Sequence, residues 1–141
     1  MMDQRAKAAI FEALKKEPVA RAIQMELMKL EDGYSVVHMI YKSEKMNNMY
    51  ARAHGGAIFA LIDEAFETAA QTDGTIAAAL NVNVTYVTTP EPGQSLQAQA
   101  QRVSQTKKTA SYDIKVTDQN GQVIALCQAL AFRTGKAISF L

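Results

Sequence analysis

Between Asn48 and Asp63 the chain reads Asn-Met-Tyr-Ala-Arg-Ala-His-Gly-Gly-Ala-Ile-Phe-Ala-Leu-Ile-Asp, which gathers an amide, an imidazole, two adjacent glycines and a carboxylate in one short stretch. The glycines directly after His54 remove side-chain bulk where a helix begins, so the Gly55 and Gly56 amides can approach a ligand carbonyl closely. The positive end of the helix dipole then favours negative charge developing on a bound oxygen. Asp63 lies between Phe59 and Phe66 in a largely apolar stretch, where a carboxylate must be compensated or used. Oxyanion donors combined with a carboxylate base or nucleophile are the parts of an acyl-transfer site.

The elements that must hold these groups follow from periodicity. Residues 3–16 space Ala6, Ala9, Ile10, Ala13 and Leu14 as one helical face, with Asp3 as cap and Lys15-Lys16 at the C-terminal end. After Pro18, alternation through Ile23, Met25, Leu27 and Leu30 predicts a strand that turns at Glu31-Asp32-Gly33 into a second strand from Tyr34 to Tyr41. Residues 43–53 lose all periodicity and read as a functional loop. From Ala57 to Gln71 there is no glycine or proline, and Ile58, Leu61, Ile62, Ala65, Phe66 and Ala69 form a broad apolar helical face. Four β-rich runs follow, over 75–88, 94–104, 109–118 and 122–133, separated by Pro90-Glu91-Pro92-Gly93, Gln105-Thr106-Lys107-Lys108 and Asn120-Gly121. This order predicts an α+β domain, a six-stranded antiparallel sheet wrapped around one long central helix, with a short N-terminal helix. An open sheet leaves edges that a second copy of the chain would cover.

Bulk composition narrows the function classes. The 141 residues, 48% of them hydrophobic, suit a single domain over 1–141. Fifteen Lys+Arg against fourteen Asp+Glu give a net charge of +1, which argues against a nucleic-acid surface. Cys127 is the only cysteine, excluding an intrachain disulfide and a cysteine zinc cluster and pointing to a reducing, cytoplasmic setting. No apolar run approaches a membrane span, so no membrane partner is expected. Clustered metal ligands are absent, and no metal is expected. Cys127 and His38 sit in apolar alternating runs and read as packing residues. Glu64 and Glu67 fall off the apolar helix face and are expected in solvent, with Glu67 a reserve carboxylate.

With loop, His-Gly-Gly turn, helical Asp63 and the Asn83-Val84-Thr85-Tyr86 strand in hand, the chain resembles the PaaI-like (phenylacetic-acid-degradation) group of hot-dog thioesterases over residues 20–134. The family's Asn, the six-residue step to His-Gly-Gly, and the Asp nine residues after that His fall on Asn48, His54, Gly55, Gly56 and Asp63. Two departures are visible: Ala51 stands where a glycine is common, and Ala79 where some relatives carry a serine that assists the site. The resemblance implies acyl-CoA thioester hydrolysis in a cleft between two subunits, with no cofactor beyond the coenzyme A of the substrate. Helix geometry agrees, since eight residues from Gly55 to Asp63 span roughly 12 Å at ~1.5 Å per residue. One carbonyl cannot touch both, so Asp63 is expected from a second chain, in a homodimer or a tetramer built as a dimer of dimers.

In that reading a Gly55 or Gly56 amide binds the thioester oxygen, and Asp63 attacks the carbonyl or activates water. His54 more readily positions the loop than transfers protons. Asn48 either holds water or thioester or makes a local turn bond, and Asn47 beside it can exchange roles. Arg102, Lys107, Lys108 and Arg133 are candidates for the coenzyme A phosphates, and Tyr86 and Phe59 for an acyl pocket lined for an aryl or medium-chain group. The alternatives are a non-catalytic acyl-CoA-binding or regulatory hot-dog protein, which would not need the carboxylate, and an enoyl-thioester hydratase, whose motif is not apparent.

Overall fold

The computed structural model describes residues 2–141. Six strands, β1 (Glu26–Glu31), β2 (Tyr34–Ile40), β3 (Thr75–Tyr86), β4 (Ser95–Gln105), β5 (Thr109–Asp118) and β6 (Val123–Ala137), form one antiparallel sheet in the order β1-β2-β4-β5-β6-β3. The helices are α1 (Gln4–Lys16), α2 (Pro18–Ala22), α3 (Ser43–Met46) and α4 (Gly55–Ala70). The hot-dog arrangement predicted from the sequence is thus present, with α4 lying against the concave face of the sheet. Among the described residues no helix is long and apolar enough to cross a membrane.

The sheet accepts a helix because its inner face is lined with small side chains. Ala98 and Ala100 on β4, Ala110 on β5, and Ala125, Ala129 and Ala131 on β6 are all buried. Into the space they leave, α4 presses Ile58, Leu61, Ile62, Ala65, Phe66 and Ala69, each buried as the 3.6-residue periodicity predicts. Phe66 meets Tyr112 of β5 with ring centroids 5.5 Å apart and tilted, a favourable aromatic geometry. Buried polar groups on the same contact are paired, Ser35 Oγ lying 2.6 Å from Thr68 Oγ1.

Connections set which residues meet. The Asp32-Gly33 hairpin is held by a Gly33 N–H to Thr72 Oγ1 bond of 2.8 Å, and a Cβ on Gly33 would stand 2.7 Å from the Arg102 guanidinium carbon, so only glycine fits. Pro90-Glu91-Pro92-Gly93 is not a hairpin turn: β3 lies at the sheet edge and β4 inside it, so this segment crosses over. The other edge, β1, starts later than its alternation predicts. Pro18 takes the first position of α2, where its missing N–H costs nothing, and the chain coils through Ala22 before Glu26 opens the strand. The stretch 43–53, aperiodic in sequence, contains the single turn α3. At the opposite edge β3 runs 12 residues with one side unpaired, exposing Ala78, Ala79 and Leu80.

Candidate active site

The tip of α4 is built from three local decisions. His54 adopts an extended backbone and caps the helix, its Nδ1 accepting the Gly56 N–H at 2.8 Å. An accepting Nδ1 leaves the proton of the neutral ring on Nε2, so this imidazole orients the turn. The His54 carbonyl accepts from Ala57 and Ile58, and its own N–H donates to the Met46 carbonyl at 2.7 Å. The Gly55 carbonyl accepts from the Tyr86 hydroxyl at 3.0 Å, which ties the helix tip to the end of β3. One group is left over: among the described residues the Gly55 N–H has no acceptor. The structure thereby separates the two glycines, committing the Gly56 donor to His54 and leaving the Gly55 donor available.

Both glycines are also closely packed. A Cβ on Gly55 would lie 3.3 Å from the Tyr86 ring, and one on Gly56 would lie 3.0 Å from His54 Nδ1. Gly55 and Tyr86 line a cavity of about 210 Å³ together with Ala53, Ile58, Val87 and Ile124. Tyr86 carries a role here that alternation alone does not reveal, because it depends on a contact 31 residues distant in sequence.

In the loop before the tip, the two asparagines are distinguished by their partners. Asn47 accepts a short hydrogen bond from the hydroxyl of buried Tyr41. Asn48 uses Oδ1 to accept from the amides of Tyr50 at 2.9 Å and Arg52 at 3.1 Å, leaving its side-chain NH₂ as the uncommitted group. Ala51 holds φ at +57°, the left-handed region that glycine adopts freely. The loop therefore keeps a glycine-type backbone at this position in spite of the alanine.

Asp63 sits eight residues into the helix, on a different cavity. Its companions are Phe66, Glu67, Ala70 and Ala77, Ala78 and Ala79 of β3, around about 230 Å³. Asp63 is exposed in the single chain, yet partial desolvation of its carboxyl, then the nearby charge of Glu17, raises its pKa. A raised pKa makes a carboxylate a better proton acceptor. Ala79 contributes only a methyl group to that cavity, so no hydroxyl assists from this position.

Glu64 departs from its expected place. It is 3% exposed rather than solvated, and Oε1 has no hydrogen-bond partner among the described residues. Burial, the adjacent Glu17 carboxyl and the charges of Glu67 and Asp63 push its pKa up to about 9. Glu67 is exposed, yet desolvation of its carboxyl and the charges of Glu17 and Asp63 raise its pKa to about 7. Sequence spacing shows no ligand cluster, but folding brings carboxylate oxygens of Glu17, Glu64 and Glu67 within 4.8 Å of one another.

The basic residues divide. Arg102 pairs with Asp32 at 3.0 Å, and Arg133 pairs with Asp73 at 2.8 Å while donating to the Thr106 carbonyl at 2.6 Å. Lys107 and Lys108 stand exposed on the β4–β5 turn, outside the ion pairs of the described residues. Cys127 is buried, and burial pushes its thiol up to about 11, so it is not a nucleophile near neutral pH. His38 bonds Ser95 Oγ through Nε2 at 2.6 Å.

Comparison with known proteins bears on this geometry. The family model of the thioesterase superfamily matches residues 50–125. The acyl-coenzyme A thioesterase PaaI of Escherichia coli is 30% identical over 120 residues, 85% of this chain and 85% of that protein. The structure of the E. coli PaaI protein from the phenylacetic acid degradation operon superposes with a TM-score of 0.92 at 27% identity, covering 99% of this chain and all (100%) of that one. A Streptococcus mutans protein solved bound to acetyl CoA superposes with a TM-score of 0.76 at 27% identity, over 81% of this chain and 91% of that one. The matched residues include the helix tip and Asp63, and the chain belongs to the thioesterase superfamily as a thioester hydrolase of hot-dog fold.

Proposed function

We propose that the chain hydrolyses acyl-CoA thioesters at a site shared by two copies, with the Gly55 amide of one protomer binding the thioester oxygen and Asp63 of its partner supplying the carboxylate. In one route Asp63 activates water, which adds to the acyl carbon before the C–S bond breaks. In the other Asp63 itself adds, the C–S bond breaks to leave an aspartyl anhydride, and water then hydrolyses it. In both, coenzyme A leaves as the thiol and the acyl group as free acid. The observation that carries this reading is the separation within one chain. Gly55 lines one cavity and Asp63 another, and neither cavity is lined by both. A reacting carbon must lie about 3 Å from both groups, so a second chain is needed to unite them. The unpaired side of β3, which borders both cavities through Tyr86 and Ala77–Ala79, is the edge that a second copy would extend.

Other residues support this chemistry from behind. His54 and Tyr86 fix the tip, so the Gly55 donor is aimed before substrate arrives. The Asn48 NH₂ is the loop group free to hold water or the substrate carbonyl. With Arg102 and Arg133 committed to Asp32 and Asp73, contacts to the coenzyme A phosphates fall to Lys107 and Lys108. The apolar lining beside Gly55 suits an aryl or medium-chain acyl group.

The test is thiol release across a panel of aryl- and alkanoyl-CoA substrates. Asp63→Ala is expected to lose about 10²–10⁴-fold in turnover while remaining folded and oligomeric. Near-normal turnover in that variant removes Asp63 from the mechanism.

A further inference from the structure

The acidic group beside the thioester site is not explained by hydrolysis. Glu17 sits at the joint where α1 ends and α2 begins, and Glu64 and Glu67 lie on α4. One carboxylate oxygen from each falls within 4.8 Å of the other two. The ion pairs of the described residues join Lys7 to Glu31, Lys15 to Glu12, Arg102 to Asp32 and Arg133 to Asp73, so no lysine or arginine neutralises the three. Glu64 is 3% exposed, its carboxyl meets that of Glu17, and its Oε1 has no hydrogen-bond partner among the described residues. An unfilled buried acceptor of this kind costs roughly 1–3 kcal/mol, more when charged.

Donor type and spacing identify what would fill it. Oxygens bound to one cation at ~2.4 Å lie at most ~4.8 Å apart, the separation of opposite ligands on a Ca²⁺-sized ion. An all-carboxylate set selects hard cations over thiolate- or imidazole-seeking metals. Glu17 is half-buried and Glu67 is open to solvent, which leaves a side for water ligands and a path for the ion. We propose that Glu17, Glu64 and Glu67 bind a hard divalent cation of the Ca²⁺ or Mn²⁺ class, fastening the α1–α2 joint to the middle of α4. The site uses neither Gly55 nor Asp63 as a ligand, although Glu67 also lines the Asp63 cavity.

The experiment uses the whole chain, stripped with chelator, desalted and titrated with Mn²⁺ while the electron paramagnetic resonance signal of the free ion is followed. Saturable uptake of one Mn²⁺ per chain is expected, with displacement by excess Ca²⁺ and a rise in the melting temperature with either ion. Glu64→Gln should weaken uptake by about tenfold or more. Glu67→Gln and Glu17→Gln, which alter less buried side chains and keep the fold testable, should do the same. Absence of saturable uptake up to about 1 mM Mn²⁺, weaker than the usual range of protein Ca²⁺ sites, overturns the proposal. So does uptake that all three variants leave unchanged. A wild-type chain that takes up no ion, beside a Glu64→Gln variant that melts higher, would assign the cluster to shared protons instead.

Discussion

At the tip of α4 nearly every polar group has a partner, whereas along its flank the carboxyls of Glu64 and Glu67 meet only another carboxyl, that of Glu17, and Glu64 Oε1 has no hydrogen-bond partner among the described residues. His54 takes the Gly56 donor and Tyr86 takes the Gly55 carbonyl, so the one remaining N–H is held in place by its satisfied neighbours. The flank has the opposite character: desolvated carboxyls raise one another's pKa, and no cation among the described residues pairs with them. A preorganised donor awaits an incoming oxygen, and a crowded carboxylate awaits a proton, a metal ion or an electrophilic carbon. The two regions belong to one reaction only when two chains bring them together.

The sharpest way to break this pairing is to remove the donor itself. A backbone N–H is normally beyond mutagenesis, but Gly55 is the first residue of α4, a position where proline is tolerated. His54 before it is extended, with φ −68° and ψ 130°, as the residue preceding proline must be. Gly55→Pro thus deletes the N–H within a compatible backbone, and Gly55→Ala controls for the tight contact with Tyr86. Turnover in the proline variant is expected to fall about 10²–10³-fold below the alanine variant. Equal turnover in the two would assign the oxygen to another donor. Mixing Gly55→Pro chains with Asp63→Ala chains should restore activity, because a mixed dimer holds one site with both groups intact. A site contained within one chain gives no rescue.

How much of this was readable in advance depends on how local each feature is. The helix tip was legible because His54, Gly55 and Gly56 are consecutive and Asp63 is fixed to them by helical rise. The strands were legible from alternation and from turns such as Asp32-Gly33 and Asn120-Gly121. Glu64 was not, because periodicity describes one buried face, and Glu17, which closes over the other side, lies 47 positions earlier (64 − 17). Near strand ends Arg102 and Arg133 read as candidates for the coenzyme A phosphates, yet they are claimed by Asp32 and Asp73 through contacts that only the folded sheet creates. Alternation after Pro18 predicts a strand, whereas the fixed φ of Pro18 starts the short helix α2.

The ion pair at the far end of α4 offers a smaller test of the division between structural and functional charges. Arg133→Met removes the Asp73 contact and the bond to the Thr106 carbonyl, and should cost about 1 kcal/mol at neutral pH. Burial alone would raise the Asp73 pKa, but hydrogen bonds from Thr75 and Arg133 outweigh it and hold the group below 3.8. A depressed folded pKa gives stability that is present above 3.8 and is lost as pH falls through the folded value. The gap between wild type and variant in chemical denaturation should therefore narrow in acid. A gap that stays constant to low pH would show that the Thr106 bond, not the ion pair, supplies the effect.

The smallest expected effect lies in the loop that feeds the tip. Ala51 holds φ at +57°, where a Cβ costs about 1 kcal/mol, and its N–H donates to the Asn48 carbonyl at 3.1 Å. Glycine removes that steric cost but adds freedom to the unfolded chain worth about 0.5 kcal/mol against folding. Ala51→Gly should therefore stabilise the protein by about 0.5 kcal/mol, the difference between those two terms. The midpoint of urea unfolding should rise with an unchanged slope, because the folded surface is the same. A lower midpoint would mean that the alanine is not strained and that the Asn48 loop takes its shape from the Tyr50 and Arg52 amides alone.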